Sequence, residues 1–376
     1  MATALKEHLS ETAVNRISQC FERLEGAFLQ QCGHPFDAVS FKQQALSGLE
    51  ALSLKQRVKH LIAAIHHCLP ADFLQAAAIL QQAPAAFPVA DAEDKMAGFA
   101  AWPLIDYVAD YGLAHPQVAL DTLATLTRMF SAEFAVRPFI EKYPQQTLAQ
   151  MLQWTQHKDE HVRRLASEGC RPRLPWGLRL QQFVQDPEPI IPILTQLNAD
   201  PSLYVRRSVA NNLNDISKDH PQRVIELCQQ WQLLQQDQTD WLIRHACRSL
   251  VKQGMPAAFS LLGYSEQPQI ELSAWQADNH VAMGQGLAFS FALTGLAPSQ
   301  KAVIDYCIHF VKANGQLSPK VFKLKNVHLQ QGQQMRVGKQ HSFKAISTRK
   351  YYPGEHLLTV HCNGQELARW PFQLTE

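Results

Sequence analysis

The sequence predicts an all-α solenoid of repeated helix pairs followed by a small all-β sandwich. Three observations carry that prediction. Up to about residue 265, apolar residues recur at helical spacing and no segment alternates convincingly with period two. Within that part a basic motif returns at intervals of roughly 40 residues, the period of stacked helix pairs. From Ile270 onward the texture changes to short β-rich runs separated by turn residues. The division falls at residues 1–265 and 266–376.

Taken in order, Ala4 to Gln31 carries Leu9, Ala13, Ile17, Phe21, Leu24 and Phe28 at helical spacing. Residues 36–68 hold two more short helices, the second including Val58, Leu61, Ile62 and Ile65. Pro70 restarts the pattern, and Phe73, Leu74, Ala77 and Leu80 share a face. Ala83 to Val89, with Pro84 and Pro88, reads as a turn. Helical pieces resume over 102–111, 117–130, 133–142 and 145–156, and a further helix is expected to stop at Gly169, since Pro172 disfavours continuation.

The repeat is legible residue by residue. His161-Val162-Arg163-Arg164-Leu165-Ala166 matches Tyr204-Val205-Arg206-Arg207-Ser208-Val209-Ala210, and Leu242-Ile243-Arg244-His245-Ala246-Cys247 matches more loosely. Asp159, Asp200 and Asp240 precede the three copies, and Ala135-Val136-Arg137 reads as a degenerate earlier one. In solenoids of the HEAT or armadillo kind, one helix of each pair lines the concave face and equivalent positions stack. Arg137, Arg163, Arg206 and Arg244 would then form a ladder, with Arg164, Arg207 and Arg248 nearby. A formal net charge of +2 is too small to argue for nucleic acid by itself, but cations gathered on one wall still bind a duplex.

In the last third, runs at 288–293, 303–311, 321–329, 335–343, 356–361 and 367–374 read as strands, and Asn363-Gly364 is a strong two-residue hairpin signal. Several short strands over such a length fit an immunoglobulin-like sandwich. The eight cysteines are scattered without metal-finger spacing, which fits free thiols in a reducing cytoplasm. No long apolar run could span a membrane, and the start lacks the apolar core of a signal peptide.

Three segments combine carboxylates with cations. Glu133 and Arg137, four apart, can face each other on a helix, either as a site or as a plain surface salt bridge. Glu168 stands at a helix end among Arg163, Arg164, Arg171 and Arg173, with Trp176 displayed between Pro175 and Gly177. That arrangement suits either a polyanion-binding surface or a set of intrahelical ion pairs. Asn211 to Asp219 puts Asn and Asp, among them Asp215, where a core helix would take Ala or Leu, so that face meets a ligand or forms a capped helix end. Phosphate-cradling, zinc-protease and nucleophile-elbow motifs are absent from the sequence.

These strings resemble a known family. Ser167 to Trp176, Val205 to Asp215, Trp241 to Ala246 and Ser131 to Ile140 are similar to bacterial DNA alkylation repair glycosylases of the AlkC branch, relatives of AlkD, over nearly the whole chain. The resemblance implies a HEAT-like solenoid that wraps duplex DNA and removes N3-methylated bases, 3-methyladenine and 3-methylcytosine, without a deep base-flipping pocket. By matching position it implies Glu133, Glu168 and Asp215 as catalytic carboxylates and Trp176 as an aromatic beside the lesion. The arginines Arg137, Arg163, Arg164, Arg171, Arg173, Arg206, Arg207, Arg244 and Arg248 become the DNA-binding wall.

A cationic base is already a good leaving group, so such an enzyme must mainly oppose positive charge growing on the sugar, which fixed carboxylates do. Water attack makes the reaction monofunctional, with no cofactor, no metal and a monomeric protein expected. A non-enzymatic HEAT scaffold for DNA or a protein is the rival reading. It gains nothing from carboxylates kept inside a cationic groove.

Overall fold

The computed structural model describes residues 5–88 and 96–376 and divides the chain into two compact units, 1–219 with 236–242 and 220–235 with 243–376. Ala4, the expected start of the first helical stretch, and Val89, the end of the expected turn, lie outside the described residues.

The first unit is helical. Its opening apolar series is buried as spaced, but makes two helices, α1 (Glu11–Glu22) and α2 (Glu25–Cys32), because Leu24 leaves helical geometry between them (φ −99°, ψ 19°). Polar caps start the next three. Asp37 accepts from the Ser40 amide before α3 (Ala38–Leu46), Ser53 and Gln56 form a reciprocal box at α4 (Leu54–Cys68), and Asp72 accepts from the Leu74 and Gln75 amides at α5 (Phe73–Leu80). On α5, Phe73, Ala77 and Leu80 are buried, whereas Leu74 is exposed. The expected turn at Ala83 contains one helical turn, α6 (Ala83–Ala86), which Pro84 starts readily because its missing N–H lies where none is needed.

The next four are α7 (Trp102–Tyr111), α8 (Pro116–Leu126), α9 (Arg137–Lys142) and α10 (Pro144–Trp154). The helix expected over 133–142 therefore begins only at Arg137, and Glu133 to Val136 form turns before it. Then come α11 (Glu160–Gly169), capped by Asp159, α12 (Gln181–Gln185), α13 (Ile191–Gln196) and α14 (Leu203–Ile216). Helices pack on near neighbours: α1 on α3, α4 on α7, α10 on α11, and α11 on α14. The α11 and α14 pair brings the two best copies of the repeat together, with Val162, Leu165, Ala166, Val205, Val209 and Ala210 all buried. That alignment positions the site.

The second unit holds α15 (Pro221–Leu233), the end of α16 (Thr239–Ala246), α17 (Arg248–Lys252), α18 (Pro256–Leu261) and an all-β part. Its strands are β1 (Ile270–Ala277), β2 (His280–Ala282), β3 (Gly286–Gly295), β4 (Ser299–Val311), β5 (Leu317–Gln330), β6 (Gln334–Ser342), β7 (Gly354–Cys362) and β8 (Gln365–Thr375). They form sheets β1-β3-β6 and β2-β8-β7-β4-β5. Alternate residues fill the space between: Leu287, Phe289, Phe291 and Leu293 of β3, Ile304, Tyr306 and Ile308 of β4, Leu358 and Val360 of β7. The β7–β8 hairpin turns on Asn363 and Gly364, both at positive φ (47° and 82°), as the Asn-Gly pair predicts. Short β2, which runs parallel to β8, has no signal in the sequence. All eight cysteines are free, and no single helix among the described residues is long and apolar enough to cross a membrane.

Candidate active site

The site grows from the end of α11. Its apolar face (Val162, Leu165, Ala166) is anchored in the core, so its last turn carries Glu168 inward, where the side chain is only 4% exposed. Gly169 makes this approach feasible. It does not adopt the left-handed geometry of a helix-ending glycine; instead a Cβ there would lie 2.6 Å from Val136 Cγ1 and 3.2 Å from Met151 Cε. The glycine is needed for close packing, not for stopping the helix.

From Glu168, six side chains alternate in sign. Glu133 Oε2 lies 2.8 Å from Arg164 Nη2, which lies 3.6 Å from Glu168 Oε1. Arg171 joins the next two carboxylates, donating from Nη1 to Glu168 Oε1 (2.6 Å) and from Nε to Asp215 Oδ2 (2.8 Å). Lys218 Nζ closes the series on Asp215 Oδ1 at 2.9 Å. Arg171 and Asp215 are buried, at 8% and 2% exposure. Three carboxylates thus share one small region because a cation stands between each neighbouring pair. Burial alone would make such charges costly, and the pairing offsets that cost only while every partner stays.

The arginines respond accordingly. Burial pulls the guanidinium pKa of Arg164 down, but Glu168, Glu133 and Tyr204 together outweigh it and hold the group above its ordinary value. At Arg171 burial is likewise the largest single effect, and it is overridden by Glu168 and Asp215. Arg164 also sits 4.9 Å over the Tyr204 ring and donates to Ser131 Oγ at 2.6 Å.

Neutral groups fix the orientation of Glu168. The Ser208 hydroxyl donates to Glu168 Oε2 at 2.6 Å, with Ser167 Oγ 3.0 Å away. Asn212, fully buried, donates to the Ser167 carbonyl at 2.8 Å and leaves its own Oδ1 without a partner. Ser208 carries a signal in the sequence: it stands where the earlier copy of the repeat has Leu165, a polar group at a core position. Lys218 and Tyr204 carry none.

Trp176 is displayed, 65% exposed, and held at positive φ (64°), a conformation that costs a bulky residue energy. Its backbone carbonyl accepts from Lys55 Nζ at 3.1 Å. It closes one side of a cleft of about 210 Å³ whose other walls include Val58, Trp102, Phe134 and Asp106. Asp106 accepts from Trp102 Nε1 at 2.8 Å, and burial raises its carboxyl to about 6 against the opposing pull of that hydrogen bond and of Lys59 and Lys55.

The arginines expected to form one exposed ladder are placed differently. Arg137, fully buried, donates to the carbonyls of Leu178 (2.6 Å) and Gly169 (2.8 Å), and burial lowers it to about 10. It does not face Glu133, whose partners are Arg164 and Ser131. Arg163 makes a two-pronged pair with Asp200 (2.6 and 3.0 Å) and bonds the His157 and Lys158 carbonyls. Arg206, buried, donates to the Asp200 and Pro201 carbonyls. These three stitch loops to helices, because unsatisfied carbonyls inside the fold capture guanidinium groups more tightly than water does. Arg207 is exposed, and Arg173 pairs with Asp219 (2.8 and 2.7 Å). In the second unit Arg244, Arg248, Lys252 and Lys323 converge on a cleft of about 230 Å³ above Asp305, which burial raises to about 6.

A family described as DNA alkylation repair enzyme matches residues 41–250. The chain belongs to that family. Residues 271–376 match a second family, described as the C-terminal Ig-like domain of the uncharacterised protein YhaZ. The chain is 40% identical to the uncharacterized protein YhaZ of Bacillus subtilis over 324 residues, 86% of this chain and 88% of that one. It is also similar to a solved structure of the alkylpurine DNA glycosylase AlkC of Pseudomonas fluorescens, bound to DNA containing an abasic site analogue. There the identity is 38%, the TM-score 0.87, and 99% of each chain is covered. The chain is therefore a member of the DNA alkylation repair family with an AlkC-like fold and an Ig-like C-terminal domain.

Proposed function

We propose that this protein is a DNA glycosylase of base excision repair that hydrolyses the N-glycosidic bond of cationic, N3-alkylated bases, 3-methyladenine and 3-methylcytosine, in duplex DNA. The observation that carries the reading is the buried Arg171 bridge, which holds Glu168 and Asp215 in one network. A scaffold that only bound DNA would have no use for two buried carboxylates in that position. Likeness to a DNA-bound AlkC over nearly the whole chain supports the same class.

In this reading residues 1–265 are a HEAT-like solenoid that wraps DNA, and residues 266–376 assist binding. The α11/α14 pair, with its repeated Val-Arg-Arg sequence, supports the repeat assignment. Glu168 and Asp215, with Glu133 at the end of the network, oppose the positive charge that grows on deoxyribose as the bond breaks and orient the attacking water. Trp176 lies against the lesion. Hydrolysis needs no Schiff base, so the enzyme is monofunctional, works as a monomer without cofactor, and acts on the nucleoid in the cytoplasm. Phosphate contacts come from the exposed cations Arg207, Arg244 and Lys323, instead of from Arg137, Arg163 and Arg206.

The test is incubation of the purified protein with methylated duplex DNA and identification of the bases set free. Release of 3-methyladenine, slowed at least tenfold in Glu168→Gln and in Asp215→Asn, is expected. Binding without release of any base would leave the scaffold reading instead.

A further inference from the structure

The network raises an electrostatic difficulty for the glycosylase reading, on which this inference rests. Carboxylates that must oppose a cation on the sugar are already neutralised by the protein's own cations. Glu168 has both oxygens occupied, by Arg171 and Arg164 on one and Ser208 on the other. Arg171 is buried and bonded to two carboxylates, so it cannot leave without breaking two buried ion pairs at once. Lys218 is different. Its side chain is 43% exposed, and it ends on Asp215 Oδ1, whereas the carboxylate beneath it is almost wholly buried (3% side-chain exposure). An ammonium on a flexible stem, half in water, is the one member of the series with somewhere else to go.

We propose that Lys218 is a displaceable counter-ion: a backbone phosphate of the DNA draws its ammonium off Asp215, and the bared Oδ1 then faces the deoxyribose. No bond is made or broken. In the free protein the six charges balance, so a phosphate approaching the site meets no net anion. Once Lys218 has moved to the phosphate, the remaining five groups carry one net negative charge, and the freed Asp215 Oδ1 presents it where the sugar turns positive. Phosphate and carboxylate compete for one ammonium, and only the duplex shifts the balance. Productive charge appears only on the bound complex.

Two substitutions in the full-length protein read the idea with opposite signs. Lys218→Met keeps the stem and removes the ammonium. It should weaken binding to a duplex carrying an uncleavable abasic analogue by about tenfold while raising single-turnover release of 3-methyladenine at saturating protein about two- to threefold. Lys218→Arg, whose fork grips a carboxylate on two sides, should stay on Asp215, weaken binding to the same duplex and slow release by about tenfold. If Lys218 merely held Asp215 in place, Met would lower both quantities and Arg would match the wild type in both, and that outcome would overturn the proposal.

A second measurement stands independently of excision. The 15N ammonium resonance of Lys218 should shift on Asp215→Asn in the free protein and be insensitive to the same change once the abasic-analogue duplex is bound. Sensitivity that persists in the complex would mean that the ammonium never leaves, and the proposal fails. A wild-type protein that releases no base at all, with the resonance behaving as described, would instead reject the glycosylase reading and keep the counter-ion exchange.

Discussion

At the scale of single residues, the alternating charges make sharply different predictions for their members. Glu168→Gln and Asp215→Asn keep size and remove charge, so each should cut single-turnover excision at least tenfold, about 1.4 kcal/mol of transition-state stabilisation. Arg171→Met should do something else. It removes the one cation shared by two buried carboxylates and leaves an oxygen of each poorly paired, so it should lower folding stability by about 3–5 kcal/mol, read by denaturant titration. Asp106 gives a pH signature. Its folded pKa of about 6 lies above that of an ordinary aspartate, so the folded state binds the extra proton. The stability this contributes is complete in acid and is lost as pH rises through 6. The melting temperature of Asp106→Asn should therefore gain on that of the wild type between pH 4 and 7; a constant difference would mean that the carboxyl titrates normally.

At the scale of elements, α11 depends on its last residue. Gly169→Ala would drive a methyl toward Val136 Cγ1, and Met151 Cε is close behind. Overpacking of that kind costs about 1–3 kcal/mol, so the variant should melt lower and, because Glu168 is the adjacent residue, lose excision as well. Restoration by Val136→Ala would locate the clash. Much of this level was legible in the sequence. Apolar spacing locates the helical stretches of α1 to α5 and α7 and most of the buried residues of α1, α2, α4 and α5, though it merges α1 with α2 and puts the exposed Leu74 inside, and Asn363-Gly364 marks the β7–β8 turn, because helix and hairpin periods are local properties. The charged segments single out Glu168 and the Asn211 to Asp219 run, the family resemblance is what names Glu168 and Asp215 as catalytic, and the two do lie in one network. What spacing could not give is where a long side chain ends. Arg137, Arg163 and Arg206 repeat in register, yet each is captured by carbonyls or carboxylates that only the folded loops bring near, at Gly169 and Leu178, at Asp200, and at Pro201. Lys218 escapes a reading of the sequence for the converse reason: three residues from Asp215 it looks like an ordinary surface lysine, and only burial of the partner gives the pair meaning.

At the scale of the whole molecule, DNA affinity should rest on cations that face outward. Removing Arg244 and Lys323 together should lower the slope of log K against log salt by about 0.9 for each phosphate that is no longer neutralised, whereas Arg163→Ala should leave that slope alone and lower stability. Equal slopes in the wild type and the Arg244/Lys323 double variant would put the phosphate-binding cations elsewhere.

The lysines of β5 bear on a separate matter. This strand of fourteen residues is the last in its sheet, and Lys320, Lys323 and Lys325 stand exposed along it. A long, uncharged border of that kind offers its free amides and carbonyls to any other strand, including the same one on another molecule. The ammonium groups keep such borders apart by repulsion. Wholesale replacement of these lysines by alanine would then yield a protein that clumps, and its poor binding could be mistaken for a failure to recognise DNA. Exchange for glutamate, which keeps the repulsion between copies while reversing the attraction to phosphate, separates colloidal behaviour from recognition.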